Sequence, residues 1–107
     1  MQRFAMLIRL RPEQRETYLR LHAEVWPSVA ATIRACQVRN YTIFLRADLL
    51  IGYYEYHGTD HAADMAKMAA DPEIRRWWAL TEPCQEQLDG TPQGSWWAPA
   101  DEVWHQD

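Results

Sequence analysis

The sequence predicts an α+β fold of the ferredoxin-like kind, a βαββαβ chain whose four-stranded antiparallel sheet carries its helices on one face. Three observations predict it. Stretches of strand-favouring residues at 3–10, 38–46 and 49–57 alternate with stretches at 12–36 and 60–82 whose apolar residues recur every three or four positions. Turn or cap residues stand at nearly every junction between them. The connection between the second and third strands is also too short for anything but a hairpin.

The elements follow in order. Residues 3–10 read as a strand with Phe4, Met6, Ile8 and Leu10 on one face and Ala5 and Leu7 on the other. Arg11-Pro12 ends it, and Pro12 can open a helix. Residues 12–26 read as that helix, with Tyr18, Leu21, His22, Val25 and Trp26 at helical spacing. Pro27 interrupts it, and a second helical stretch runs to Cys36 with Val29 and Ile33 inward. Residues 38–46 and 49–57 then form a hairpin across Ala47-Asp48. Helix resumes over 60–70, and Asp71-Pro72-Glu73 restarts it with a cap, a first-position proline and an acid in the first turn. Pro83 closes that helix. Asp89-Gly90-Thr91-Pro92-Gln93-Gly94 is turn chemistry. The tail over 95–105 reads as the last strand, with Pro99 forcing a bend or an edge position.

Composition narrows the function. The 107 residues suit one domain, here 1–107, and 48% apolar content suits a packed core. Fifteen acids against eleven bases give a net charge of -4, without the basic excess of a nucleic-acid binder. No apolar run is long enough for a membrane span, and the N-terminus turns charged too early for a signal peptide. Cys36 and Cys84 stand far apart with no CxxC pair and read as reduced, buried thiols, so a cytoplasmic location is expected. With helices on one sheet face, the other is left apolar and aromatic, and a second copy is its natural cover; a homodimer is expected.

Few residues offer chemistry. Tyr18, His22 and Trp26 are spaced i, i+4, i+8 and would line one side of a single helix. An acid–base histidine beside stacking aromatics fits that pattern, and so does a core helix whose histidine bonds a backbone carbonyl. Trp77 and Trp78 diverge by about 100° on a helix, so one packs inward and the other meets a cleft or boundary, where an indole suits the C–H face of a pyranose. Asn40 and Tyr41 offer directional hydrogen bonds for hydroxyls; they also read as ordinary strand-edge polar residues. Tyr53, Glu55 and His57 share a face, with Glu55–His57 reading as a structural pair. His61 and His105 read as exposed. His57 and His61 straddle Gly58 at a strand-to-helix junction, which argues against a zinc site. There is no phosphate-binding glycine motif or nucleophile elbow, and neither cysteine has an activating neighbour.

Taken in order, Tyr18-Leu19-Arg20-Leu21-His22, Val25-Trp26-Pro27, Arg39-Asn40-Tyr41 and Arg76-Trp77-Trp78 resemble the L-rhamnose mutarotase family across almost the whole chain. The resemblance implies a dimeric α+β barrel and a cofactor-free aldose 1-epimerase acting on a monosaccharide. It implies that His22 is the proton donor and that Tyr18, Tyr41, Trp77 and Trp78 contact the sugar, with Asn40 and Trp26 as further candidate contacts. Tyr54-Glu55-Tyr56-His57-Gly58 and Thr81-Glu82-Pro83-Cys84-Gln85 are more similar to the branch associated with L-fucose, so L-rhamnose and L-fucose both stay open. Mutarotation needs only positioned proton transfer, for which a histidine near neutrality is suited. His22 is expected to act as acid in ring opening and base in closing, with Tyr18 and Tyr41 orienting hydroxyls; water, a tyrosine or Glu55 could supply a second group. Two other functions compete: a cofactor-free small monooxygenase on the same scaffold, which favours a wholly apolar pocket, and a non-catalytic sugar-binding module, in which His22 is dispensable.

Overall fold

Alternation along the first strand, β1 (Gln2–Leu10), sorts the sheet into two faces. Phe4, Met6, Ile8 and Leu10 turn toward the helices, and Ile8 and Leu10 are fully buried there. Arg3, Ala5, Leu7 and Arg9 turn the other way. The computed structural model describes residues Met1–Asp107. β2 (Val38–Arg46) and β3 (Leu49–Tyr56) form the expected hairpin, with Ala47 in a left-handed turn at φ 52°. β3 then pairs antiparallel with β1 from Gln2↔Tyr56 to Arg9↔Leu49.

The sheet runs β2-β3-β1-β4, the strand order of a ferredoxin-like fold. Its last position differs from expectation. In place of one strand over 95–105, two short segments share the free edge of β1. β4 (Gln85–Glu86) pairs with Leu10 and Arg9, and β5 (Ala98–Ala100) pairs with Leu7, Met6 and Ala5. The turn-rich stretch between them, with Gly90 and Gly94 both at positive φ, carries the chain off the edge and back. Pro99 lacks an N–H and occupies an edge strand, as anticipated. β4 had no signal of its own, since Gln and Glu are poor strand formers.

The first helical region also departs from expectation. Pro12–Gln14 forms a 3₁₀ turn, and α1 covers only Arg15–Ala23. Trp26 lies outside α1, extended at φ −59° and ψ 133°, because a residue preceding proline is driven from the helical region. α2 (Pro27–Ala35) follows. α3 (His61–Ala70) and α4 (Pro72–Thr81) start as anticipated, the Asp60 carboxylate accepting from Ala63 N at 3.1 Å and Asp71 from Ile74 N at 3.0 Å. A 3₁₀ turn at Glu82–Cys84 leads into β4. No helix is long and apolar enough to cross a membrane.

Two apolar clusters join helices to sheet. Val29, Cys36, Val38, Met68, Ile74 and Trp77 form one. Ile8, Leu10, Tyr18, Leu50 and Cys84 form the other, beneath α1. Both cysteines are free and buried, and burial raises both thiol pKa values. The exit from β3 is closed by Tyr56, whose buried phenol donates to Asp64 Oδ2 at 2.5 Å and accepts from Asp60 N at 3.0 Å.

A Cβ added to Gly58 would collide with that phenol and with the Asp64 carboxylate. Tyr56 is held on both sides and cannot swing away. Gly58→Ala is therefore expected to destabilise the protein by about 1–3 kcal/mol, the usual cost of overpacking a fixed site. Chemical denaturation checks it, and an unchanged midpoint contradicts the packing described.

Candidate active site

α1 sets Tyr18 and His22 one turn apart, and their rings stack with centroids 4.1 Å apart. His22 Nδ1 lies 2.9 Å from the Tyr18 carbonyl oxygen. A carbonyl only accepts, so Nδ1 is the protonated nitrogen and the neutral ring keeps its lone pair on Nε2. Burial lowers the His22 pKa, and the bond to Tyr18 offsets this only in part. The ring is therefore neutral near pH 7. Trp77 lies edge-on to His22, with centroids 5.3 Å apart. The backbone bond expected of a core-helix histidine is present, and the other nitrogen has no protein partner.

Tyr18 is 2% exposed, and burial pushes its phenol up to about 12. Its oxygen takes a long hydrogen bond of 3.4 Å from Gln85 Nε2. The indole N–H of Trp96, which can only donate, reaches Gln85 Oε1 at 2.7 Å. That contact sets which end of the buried Gln85 amide meets Tyr18. The Tyr18 oxygen therefore accepts from protein, and its own proton is left to donate.

Tyr41 comes to the same side of the sheet, its ring 5.7 Å from that of Tyr54. The residue is 39% exposed, yet burial raises its phenol well above the ordinary tyrosine value, and the Tyr18 and Tyr54 phenols add to this. Asn40 is separated from this group. Its Nδ2 donates to Glu55 Oε1 at 2.8 Å, on the far face of the sheet. Glu55, a candidate second acid–base group, sits on that far face too, bonded by Tyr53 at 2.9 Å and 3.8 Å from His57 Nε2.

The tryptophans divide as their spacing requires. Trp77 is buried, edge-on to both His22 and Trp26, so it buttresses the histidine and offers no open ring face. Trp78 is half-exposed and lines an open cavity of about 340 Å³ with Ala69, Arg75, Ala79 and Glu82. Trp26 lines a second of about 250 Å³ with Thr17, Arg20, Leu21 and Glu24. Neither cavity includes His22. Tyr18, His22 and Trp77 are thus in contact, with Trp26 behind Trp77; Tyr41 packs beside Tyr54 on the same side of the sheet, and Asn40 and Trp78 stand apart.

Three supporting residues were not singled out by the sequence. Gln85, in β4, and Trp96, in the segment leading to β5, hold Tyr18 along a path the sequence does not reveal. His61, expected to be exposed, is half-buried against Phe4 at 4.1 Å between centroids, with Nε2 2.7 Å from the Tyr54 hydroxyl. Burial lowers its pKa as well. Only its position at a helix start was visible, and the tertiary stack filled in the rest.

The chain is similar to several known proteins. A sequence profile described as L-rhamnose mutarotase matches residues 3–106. The L-rhamnose mutarotase of Verminephrobacter eiseniae is 34% identical, over 70% of this chain and 71% of that protein. That of Burkholderia ambifaria is 30% identical over 86% of this chain and 88% of its own. Among solved structures, the L-rhamnose mutarotase of Formosa agariphila superposes over 100% of both chains with a TM-score of 0.79 at 20% identity. Tetracenomycin F2 cyclase of Streptomyces glaucescens shares the fold at a TM-score of 0.68 and 17% identity, covering 100% of this chain and 98% of that one. The profile match and the identities show that the chain belongs to the L-rhamnose mutarotase family, a family of cofactor-independent isomerases.

Proposed function

We propose that the chain interconverts the α and β anomers of a 6-deoxy-L-sugar, L-rhamnose ahead of L-fucose, with His22 as its acid–base residue. The observation that carries this reading is the neutral imidazole with Nδ1 tied to the Tyr18 carbonyl and Nε2 unpartnered. Family membership favours L-rhamnose, the sugar in the name of each relative compared above. The free, buried cysteines suit a reducing cytoplasm.

Ring opening moves one proton from the C1 hydroxyl to the ring oxygen while the C1–O5 bond breaks and C1=O1 forms. Both oxygens are bonded to C1, so one nitrogen can serve both. Nε2 takes the O1 proton and the resulting imidazolium returns it to O5. After rotation about C1–C2, the imidazole takes the proton from the C5 hydroxyl as it attacks the carbonyl, and delivers it to O1. His22 is then acid toward the ring oxygen in opening and base toward it in closing. Tyr18 and Tyr41, both raised by burial, stay protonated and act as donors to sugar oxygens rather than as bases. Trp77 holds the imidazole plane, and the protein supplies positioning more than new chemistry.

The homodimer belongs to this reading. On the sheet face without helices, Phe44, Ile51, Leu7 and Ala98 stand in register as one apolar row across four strands. Phe44 is 58% exposed in the single chain. Arg39, Glu55 and Arg3 form a charged row on one side, and Arg46 and Arg9 flank Leu49 on the other. An apolar centre with a polar rim is the anatomy of an interface.

Three outcomes are expected. His22→Ala should stay folded and lose at least about tenfold of the catalysed exchange between anomers, the low end of what positioned proton transfer supplies. Saturation-transfer proton NMR reads this on L-rhamnose and L-fucose side by side, and undiminished exchange would remove His22 from the chemistry. The pH profile of wild type should be flat through neutrality. It should fall on the acid side, where protonation takes the Nε2 lone pair, with a midpoint below the ordinary histidine value of about 6.5. A fall in rate on raising the pH through that value would show that the imidazolium is the resting form. Phe44→Glu should shift the protein from dimer to monomer in sedimentation velocity; a wild-type monomer would contradict the apolar row as an interface.

A further inference from the structure

The geometry points to Glu55, on the face of the sheet opposite the imidazole, as the residue that aims Tyr41 into the site. This rests on Tyr41 meeting the sugar, as proposed above.

The case begins with register. Val38 pairs with Tyr56 and Arg39 with Glu55; the next pair is Thr42 with Tyr53. Asn40 and Tyr41 together therefore oppose the single residue Tyr54, which is a β-bulge. Because side chains alternate with a period of two, one extra residue exchanges the faces of everything after it. Before the bulge, even-numbered Val38 faces the helices. After it, Ile43 and Leu45 do. A regular strand would turn Asn40 toward the helices and Tyr41 toward the far face. The bulge alone brings the Tyr41 ring beside Tyr54, on the helix-covered face.

At this bulge Asn40 takes a positive φ of 52°. Asparagine tolerates that region better than most residues, but the conformation is still costly relative to an extended strand. What holds it is a set of hydrogen bonds on the far face. Asn40 Nδ2 donates to Glu55 Oε1 at 2.8 Å, and the Thr42 hydroxyl donates to the Asn40 carbonyl at 3.1 Å. Tyr53 fixes the other carboxylate oxygen at 2.9 Å. The Glu55 side chain is 22% exposed and lies opposite Arg39 in the pairing. These bonds hold the carboxylate below the ordinary glutamate pKa, the Asn40 amide first among them, so the acceptor remains ionised. Glu55 touches no reacting atom in this arrangement. It is a positioning residue, acting through Asn40 on the direction of Tyr41.

A double-mutant cycle tests it. Glu55→Ala removes the acceptor, and Glu55→Gln keeps an oxygen for the Asn40 amide. Each is made alone and with Tyr41→Ala, and KM and kcat for L-rhamnose are measured by saturation-transfer NMR, with sedimentation velocity on every variant. Tyr41→Ala should raise KM. Glu55→Ala should raise KM about threefold or more in the wild-type background and add nothing on Tyr41→Ala, the signature of coupled residues. Glu55→Gln should return KM to near the wild-type value. An equal rise in both backgrounds would overturn the inference, as would a Glu55→Ala protein with wild-type KM. So would a Glu55→Ala protein that loses activity only by falling apart into monomers. An unchanged KM in Tyr41→Ala would take Tyr41 off the sugar and the inference with it, while the His22→Ala comparison still reports on the isomerase. Where Glu55→Ala fails to fold, Asn40→Ala makes the same comparison, because it removes the amide and leaves the positive φ at its full cost.

Discussion

Tyr18 is the residue on which the site hangs. Its ring is buried in the cluster of Ile8, Leu10, Leu50 and Cys84, so the packing of α1 on the sheet fixes where its backbone lies. One turn later, His22 stacks on that ring and bonds that residue's carbonyl. A buried aromatic thus delivers both orientation and tautomer to the His22 imidazole without a carboxylate partner. The absence of a neighbouring acid matters chemically: nothing beside the ring favours the charged form enough to outweigh burial, and the histidine rests neutral.

The two faces of the sheet divide the labour. The helix-covered face holds Tyr18, His22, Tyr41, Tyr54 and Trp77. The far face holds an apolar row with charged rows flanking it, together with the hydrogen bonds around Glu55. The faces are not independent, because a bulge in β2 passes Tyr41 to one and Asn40 to the other. A second copy covering the far face would enclose Glu55 and Asn40 at the rim of its contact, which links assembly to the stiffness of the site without any contact between the subunit and the sugar.

Much of this was readable from residue order. Alternation in 3–10 and 38–57, the Asp71 cap and the prolines at 12, 27 and 72 placed the strands and helices. Tyr18, His22 and the divergence of Trp77 from Trp78 followed from helical spacing. What escaped did so for definite physical reasons. Trp26 fell off the end of α1 because Pro27 restricts the residue before it, so helical spacing ceased to apply there. Asn40 went to the wrong side because a bulge is an insertion relative to a partner strand, and one strand's pattern does not show it. The last strand split because its pairing depends on the edge of β1, a tertiary fact. Gln85, Trp96 and His61 gained their roles from contacts across 11 to 67 residues of chain or from a three-ring stack, none of which leaves a local pattern.

The chemistry proposed for His22 depends on the protonation state of its ring. Nitrogen-15 NMR of the imidazole of His22 in the folded protein at pH 7 reads it directly. The expected spectrum is that of a neutral ring protonated on Nδ1, with a pyridine-like shift for Nε2. A spectrum showing the proton on Nε2, or both nitrogens protonated, would contradict the hydrogen bond to the Tyr18 carbonyl as the feature that prepares this histidine for its work.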